Sequence, residues 1–241
     1  MRPFLSVILP PLGLLAWAFV PSSCLAADSC ATVFELAPAL GTLRNEYSVE
    51  VAVGNHSTSF QRTNRGIEGL ISEGGPIVEK ALKSPELRGK NVLDAGTGDG
   101  QLTFQLRQSE VNAIGLDIAL KPSQKTFPFF VERDIRDTGF PDGFFELSFS
   151  AFSVFYYPHL EELSPHFREE ALLELSRVTR PGGHILIVAL TGTRGIPESS
   201  IRMITYNGRD ETARLLAGRP ELELVAIEDR AEGSTVLLKK K

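Results

Sequence analysis

Cysteine is nearly missing from this chain, which has only Cys24 and Cys30. Two cysteines build no disulfide framework, and neither has the spacing of a zinc site, so no metal is expected. Long basic runs are missing as well. The terminal residues 239–241 form the one like-charge cluster in a chain of formal net charge −5, and they read as a solvated tail. An acidic chain without a basic stripe is not built to wrap nucleic acid, and no such partner is expected. There is no internal repeat and no low-complexity tract. No apolar run is of membrane-spanning length either: residues 12–20 are apolar, but Pro10 and Pro11 cut them off from the preceding apolar residues.

What is present at the N-terminus has a different use. Arg2, the apolar run 12–20, Pro21 and the small residues 22–27 have the layout of a secretory signal peptide, with cleavage expected between Ala26 and Ala27. The chain is therefore divided into a leader-like segment (1–26), an irregular extension (27–64) with a β-like run at 47–53, and one domain (65–241). Expected locations are the secretory pathway, an organelle lumen, or a membrane reached through an uncleaved leader. A misassigned start codon would make the protein cytoplasmic. Asn55-His56-Ser57 fits a glycosylation sequon, a triplet also common by chance. The oligomeric state is left open.

Within the domain, apolar spacing over 67–82 predicts a helix interrupted at Gly74-Gly75-Pro76. Short apolar strands are predicted at 91–96, 113–118, 129–135 and 145–152, with a helix at 100–108 carrying Leu102 and Leu106 inward. Residues 165–180 predict an amphipathic helix with Leu172, Leu173, Leu175 and Val178, stopped by Pro181-Gly182-Gly183. The continuous apolar run 184–190 suits a strand inside a parallel sheet. A short helix at 210–217 and a C-terminal hairpin complete the pattern. Strands alternating with helices imply a doubly wound, mainly parallel α/β sheet, whose ligands bind beyond the carboxyl ends of the strands.

One such end reads "VLDAGTGDG", residues 92–100. Glycine at every second position does not serve core packing; it lets the backbone approach something closely. The dinucleotide fingerprint G-x-G-x-x-G is not met, because position 101 is Gln, and Asp94 further disfavours a nicotinamide cofactor. A phosphate loop fails because no Lys-Ser/Thr pair follows. Asp94 and Asp99 before the helix repel phosphate and suit a cationic or zwitterionic ligand.

These residues resemble the first motif of the class I S-adenosylmethionine-dependent methyltransferases, an acidic residue followed by G-x-G-x-G. The likeness continues through "GLDI", "ERDIRDTGFPDGFFELSFS" and "SRVTRPGGHILIV", in family order, and covers residues 65–241. It implies a Rossmann-like seven-stranded sheet with an antiparallel C-terminal hairpin, and S-adenosyl-L-methionine as cofactor. It also implies site roles. Gly96 and Gly98 would pass close to the amino-acid part and the sugar, Gly100 would pack the loop on its helix, and Asp94 would orient the ligand amine. Asp117 would accept from the ribose hydroxyls, Ile118 would pack on adenine, Asp134 would take the adenine amino group, and Ile135 would offer its backbone amide. Asp137 rivals Asp134. The chain departs from the family in two places. Residues 118–130, with Pro122 and Pro128, leave room for at most one turn where the family has a full helix, and Glu146 replaces an aspartate.

Methyl transfer from a sulfonium is an in-line displacement that depends on alignment, and a base helps only a protonated acceptor. Ser153, Tyr156, Tyr157 and His159 follow the fourth strand, on the expected acceptor side. His159 is the candidate base, against an ordinary loop histidine, and Tyr156 the second candidate. The amino-methylating "[D/N/S]-P-P-[Y/F]" motif is missing there, which argues against DNA adenine and protein glutamine as acceptors. No large substrate domain is appended, so a small or medium-sized acceptor is expected. The alternative is a cofactor-binding pseudoenzyme or interaction module on the same scaffold.

Overall fold

The run His184–Leu190 shows no polar alternation because both of its faces are buried. The computed structural model describes residues 47–53, 56–62, 66–156, 166–191, 208–230 and 233–241. In it, β7 (Thr179–Leu190) sends Ile185 and Ile187 into one apolar cluster and Leu186 and Val188 into another. The first cluster is closed by Ala171, Leu172, Leu175 and Val178 of α4 (Phe167–Val178) and by Leu215 of α5 (Gly208–Leu216). The second is closed by Leu70 of α1 (Ile67–Gly74), Val78 and Leu82 of α2 (Pro76–Leu82), and Leu102 and Leu106 of α3 (Gln101–Gln108). The sheet is thus sandwiched between two helical layers.

The other strands of this sheet are β3 (Asn91–Ala95), β4 (Asn112–Asp117), β5 (Phe130–Glu132), β6 (Phe145–Ala151), β8 (Leu222–Arg230) and β9 (Gly233–Lys240). Their order is β5-β4-β3-β6-β7-β9-β8. The first five are parallel, and β9 runs antiparallel between β7 and β8. The expected doubly wound sheet and terminal hairpin are both present. Strand order reverses beside β3, so the crevice at its carboxyl end opens where this architecture binds ligands.

Some expectations differ from the structure. The extension read as irregular contains a hairpin, β1 (Tyr47–Val53) paired antiparallel with β2 (His56–Arg62). The polar sequence HSTSFQR hid the second strand, although Gly54-Asn55 between the two is a hairpin signal. The third strand of the domain is three residues long rather than seven. Leu173 is 56% exposed, because it lies about 100° around the helix from Leu172. The full helix missing between β4 and β5 is replaced by one 3₁₀ turn, Gln124–Thr126, in keeping with the prolines around it. Among the described residues no helix is long and apolar enough to cross a membrane. The leader-like segment lies outside them.

Candidate functional site

The glycine loop leaves β3 and enters α3 through three left-handed residues, Gly96 (φ 86°), Gly98 (φ 57°) and Gly100 (φ 80°). Residues with side chains pay for this backbone, and glycine does not. Space is short as well. A Cβ on Gly96 would lie 2.1 Å from Ser153 Oγ, and one on Gly100 would lie 2.4 Å from the Phe130 ring. The loop is pinned to the neighbouring strand: the amides of Gly96 and Thr97 both donate to the Leu116 carbonyl, at 2.7 and 3.0 Å.

Three carboxylates stand at this loop; Asp99, within it, is paired with Lys121 Nζ at 2.9 Å, and the other two lie at strand ends. Asp94 ends β3 and is 3% exposed; its Oδ2 accepts from the hydroxyls of Thr97 and Thr103, each at 2.7 Å. Thr103 lies three residues beyond Gly100, within the first turn of α3, so its hydroxyl points back under the loop. Burial pushes the Asp94 carboxyl up to about 6; the two threonine hydroxyls pull against this, and the nearby Asp117 charge adds to it. Asp117 ends β4, 8% exposed. Its Oδ2 accepts from the Gly98 amide at 2.9 Å and its Oδ1 from the Ala119 amide at 3.1 Å. A carboxylate has about four lone-pair sites, so these two amides do not exhaust its accepting capacity.

Asp94 therefore has a pH signature. The unfolded chain releases this proton near pH 4 and the folded chain near pH 6, so between them the folded state holds more protons. The contribution of this group to stability falls as pH rises through that window. Asp94→Asn keeps an acceptor for both threonines and removes the titration. Its unfolding free energy should gain on the wild type by on the order of 3 kcal/mol between pH 4 and pH 7. Thermal or denaturant unfolding across that range measures it, and a gap that does not change with pH would assign the titration to another group.

The remaining predicted residues fall on the rim or outside it. Ile118 is 36% exposed next to Asp117. Asp134 follows β5, and its carboxylate is gripped by Arg136, whose backbone amide donates to Oδ1 at 2.8 Å and whose Nη2 donates to Oδ2 at 2.7 Å. Arg136 also lies 4.3 Å over the Phe167 ring. The Ile135 side chain is buried in the core. The Tyr156 ring packs against Phe152 at a tilt of 59°, ring centres 5.6 Å apart, and its carbonyl accepts from the Thr191 hydroxyl at 3.0 Å. Phe152 has φ 47°, a left-handed non-glycine residue at the end of β6, and Ala189 has φ 64° on adjacent β7. His159 and Tyr157 lie outside the described residues. The structure thus gathers Asp94, Gly96, Gly98, Gly100 and Asp117 around one loop, with Ile118 beside them. Sequence reasoning missed Thr103, Arg136 and Gln124, which act through side-chain contacts without a spacing signature. Among the described residues no group of three or more His, Cys, Asp or Glu is placed to hold a metal ion.

Residues 93–187 match the family described as a methyltransferase domain. A malonyl-[acyl-carrier protein] O-methyltransferase of Pseudescherichia vulneris is 29% identical over 149 residues, 60% of this chain and 56% of that protein. The enzyme of the same name from Erwinia billingiae is 28% identical over 152 residues, 61% of this chain and 55% of that protein. The chain thus matches little more than half the length of these curated relatives. Among solved structures, the PH0226 protein of Pyrococcus horikoshii superposes with a TM-score of 0.52 at 20% identity, covering 72% of this chain and 91% of that one. A candidate S-adenosyl-L-methionine-dependent methyltransferase of Methanococcus maripaludis gives 0.50 at 19% identity, covering 68% and 84%. Both have the same fold as this chain.

Proposed function

We propose that this chain, whose residues 93–187 carry a methyltransferase domain of the class I S-adenosylmethionine-dependent kind, binds that cofactor and directs methyl transfer to a small or medium-sized acceptor. One observation carries the reading: three left-handed glycines at the strand-order reversal, flanked by the strand-end carboxylates Asp94 and Asp117. The residues fit a ligand with a sugar and a cationic amino-acid tail. Gly96 carries no side chain and fits closely against Ser153, so the loop stays thin at the end of β3, and the carboxylates favour positive charge and hydroxyl donors while repelling phosphate.

When bound, the cofactor supplies a methyl group on sulfur, transferred by in-line displacement. The chain's own residues do the rest. Asp117 accepts from the ribose hydroxyls and, through the Gly98 amide, fixes where the loop lies. Asp94, ionised above about pH 6, places a buried negative charge beneath the cationic end of the ligand. Ile118 packs on the adenine ring, the Ile135 amide faces its edge, and Asp134, held by Arg136, accepts from its amino group. On the other side, residues 152–156 form the acceptor wall, with Tyr156 lining it, and His159 is proposed as the base for a protonated acceptor. The curated relatives are named as O-methyltransferases, which favours an oxygen acceptor. Residues 1–26 are proposed as a secretory leader.

Asp117→Ala should weaken binding of S-adenosylhomocysteine by about 1–3 kcal/mol, because two sugar hydroxyls and the Gly98 amide lose a charged acceptor. Calorimetric titration reads this directly. Unchanged affinity would remove Asp117 from the site. The second reading, a pseudoenzyme, predicts full cofactor binding with no transfer of labelled methyl to any component of a cell extract.

A further inference from the structure

We infer that Gln124 is a positioning residue for the cofactor site, gripping the Gly98 peptide from the side opposite Asp117; this rests on the reading of the glycine loop as the S-adenosylmethionine site. The Gly98 N–H donates to Asp117 Oδ2 at 2.9 Å, and the Gly98 carbonyl accepts from Gln124 Nε2 at 2.9 Å. The Gln124 amide is 3% exposed, and its other end accepts from the Lys121 amide at 2.8 Å. One buried side chain thus joins the glycine loop to the short segment between β4 and β5.

The joint is needed because of what replaces the helix. A single 3₁₀ turn, Gln124–Thr126, is too short to hold its own shape. That segment follows directly on Asp117, the last residue of β4 and the proposed sugar contact, and begins with Ile118, the proposed adenine contact, whose position it sets. A second tie runs alongside, with Lys121 Nζ 2.9 Å from Asp99 Oδ1. The approach is close: a Cβ on Gly100 would meet Gln124 Nε2 at 3.1 Å. Released from Gly98, the segment would shift against the loop, and Ile118 would move with it.

A glutamate at this position can still accept from Lys121 but donates to the Gly98 carbonyl only when protonated. The charged groups around it are Asp99 and Lys121, Asp117 across the Gly98 peptide, Asp94 beneath the loop, and Glu132 paired with Lys125 on the same segment. Because Asp94 titrates near pH 6, the wild type at each pH is the reference.

The test titrates wild type, Gln124→Met and Gln124→Glu with S-adenosylhomocysteine by calorimetry at pH 8 and pH 6, with unfolding temperatures of the unliganded proteins measured alongside. Gln124→Met should lose roughly tenfold in affinity relative to wild type at both pH values, as both hydrogen bonds go. Gln124→Glu should lose more than Gln124→Met at pH 8, where the buried charge also lowers its unfolding temperature, and should regain part of both losses at pH 6. Variants binding as tightly as wild type would overturn the inference and leave the cofactor reading standing. Losses in the two variants that are equal at both pH values would make Gln124 a packing residue and also overturn it. A wild type that binds no S-adenosylhomocysteine would overturn the cofactor reading and this inference together.

Discussion

Gly96→Arg is expected to abolish binding of S-adenosylhomocysteine at any concentration that saturates the wild type. Two costs combine. The backbone at Gly96 has φ 86°, which costs a residue with a side chain roughly 1–2 kcal/mol. The first side-chain atom would also lie 2.1 Å from Ser153 Oγ and 2.6 Å from Ser153 Cβ, so the end of β6 must give way. The rest of the arginine must then occupy the crevice. Gly96→Ala isolates the first two costs and should weaken binding by at least about tenfold, the equivalent of roughly 1.4 kcal/mol. Adding Ser153→Gly to Gly96→Ala removes the collision and keeps the backbone strain, so it should restore part of the affinity. A Gly96→Arg protein that binds normally would show that the ligand does not pass this loop.

The largest effect on stability is expected at Arg168, which is fully buried. Its Nη1 donates to the Thr191 carbonyl at 2.6 Å and lies 3.3 Å from Glu211 Oε1, and its Nη2 donates to the Thr191 hydroxyl at 3.2 Å. Glu211 is shared with Arg214, which also pairs with Glu169. Thr191 in turn donates its amide to the Phe155 carbonyl at 3.2 Å and its hydroxyl to the Tyr156 carbonyl at 3.0 Å. The network thus ties α4 and α5 to the end of β7 and to the proposed acceptor wall. Arg168→Met removes both donors to Thr191 and leaves Glu211 with Arg214 alone, and should cost about 2–4 kcal/mol, lowering the unfolding temperature by roughly 10 °C. A second substitution, Glu211→Leu, removes the carboxylate left without Arg168 and should recover part of that loss. A single variant as stable as wild type would mean that the ion pair contributes nothing net.

The sheet was legible because each strand carries a period-2 or continuous apolar signal and each helix a 3.6-residue one, and burial enforces both. The glycine loop was legible because alternate glycines have few physical uses. Leu173 misled because three leucines within four positions hide which one faces out. Arg168 was hidden for the opposite reason: an arginine beside two glutamates at a helix start reads as a solvated end, yet the fold buries it completely. Gln124 and Thr103 left no pattern at all. Each makes one decisive contact across the fold, and a lone amide or hydroxyl has no periodicity to reveal it. Asp134 differs from expectation in carrying Arg136 with it, two residues along and on the same turn. The second strand of the N-terminal hairpin was concealed by its polar composition.

The central claim is that the loop from Gly96 to Gly100 binds an adenosyl sulfonium cofactor. Separate calorimetric titrations of the purified chain with S-adenosylmethionine, S-adenosylhomocysteine and NAD test it most directly. Saturable one-to-one binding of the two adenosyl ligands, with NAD at least about a hundredfold weaker, a gap of roughly 3 kcal/mol, is the predicted result. Tighter binding of NAD, or no adenosyl ligand bound at millimolar concentration, would contradict it.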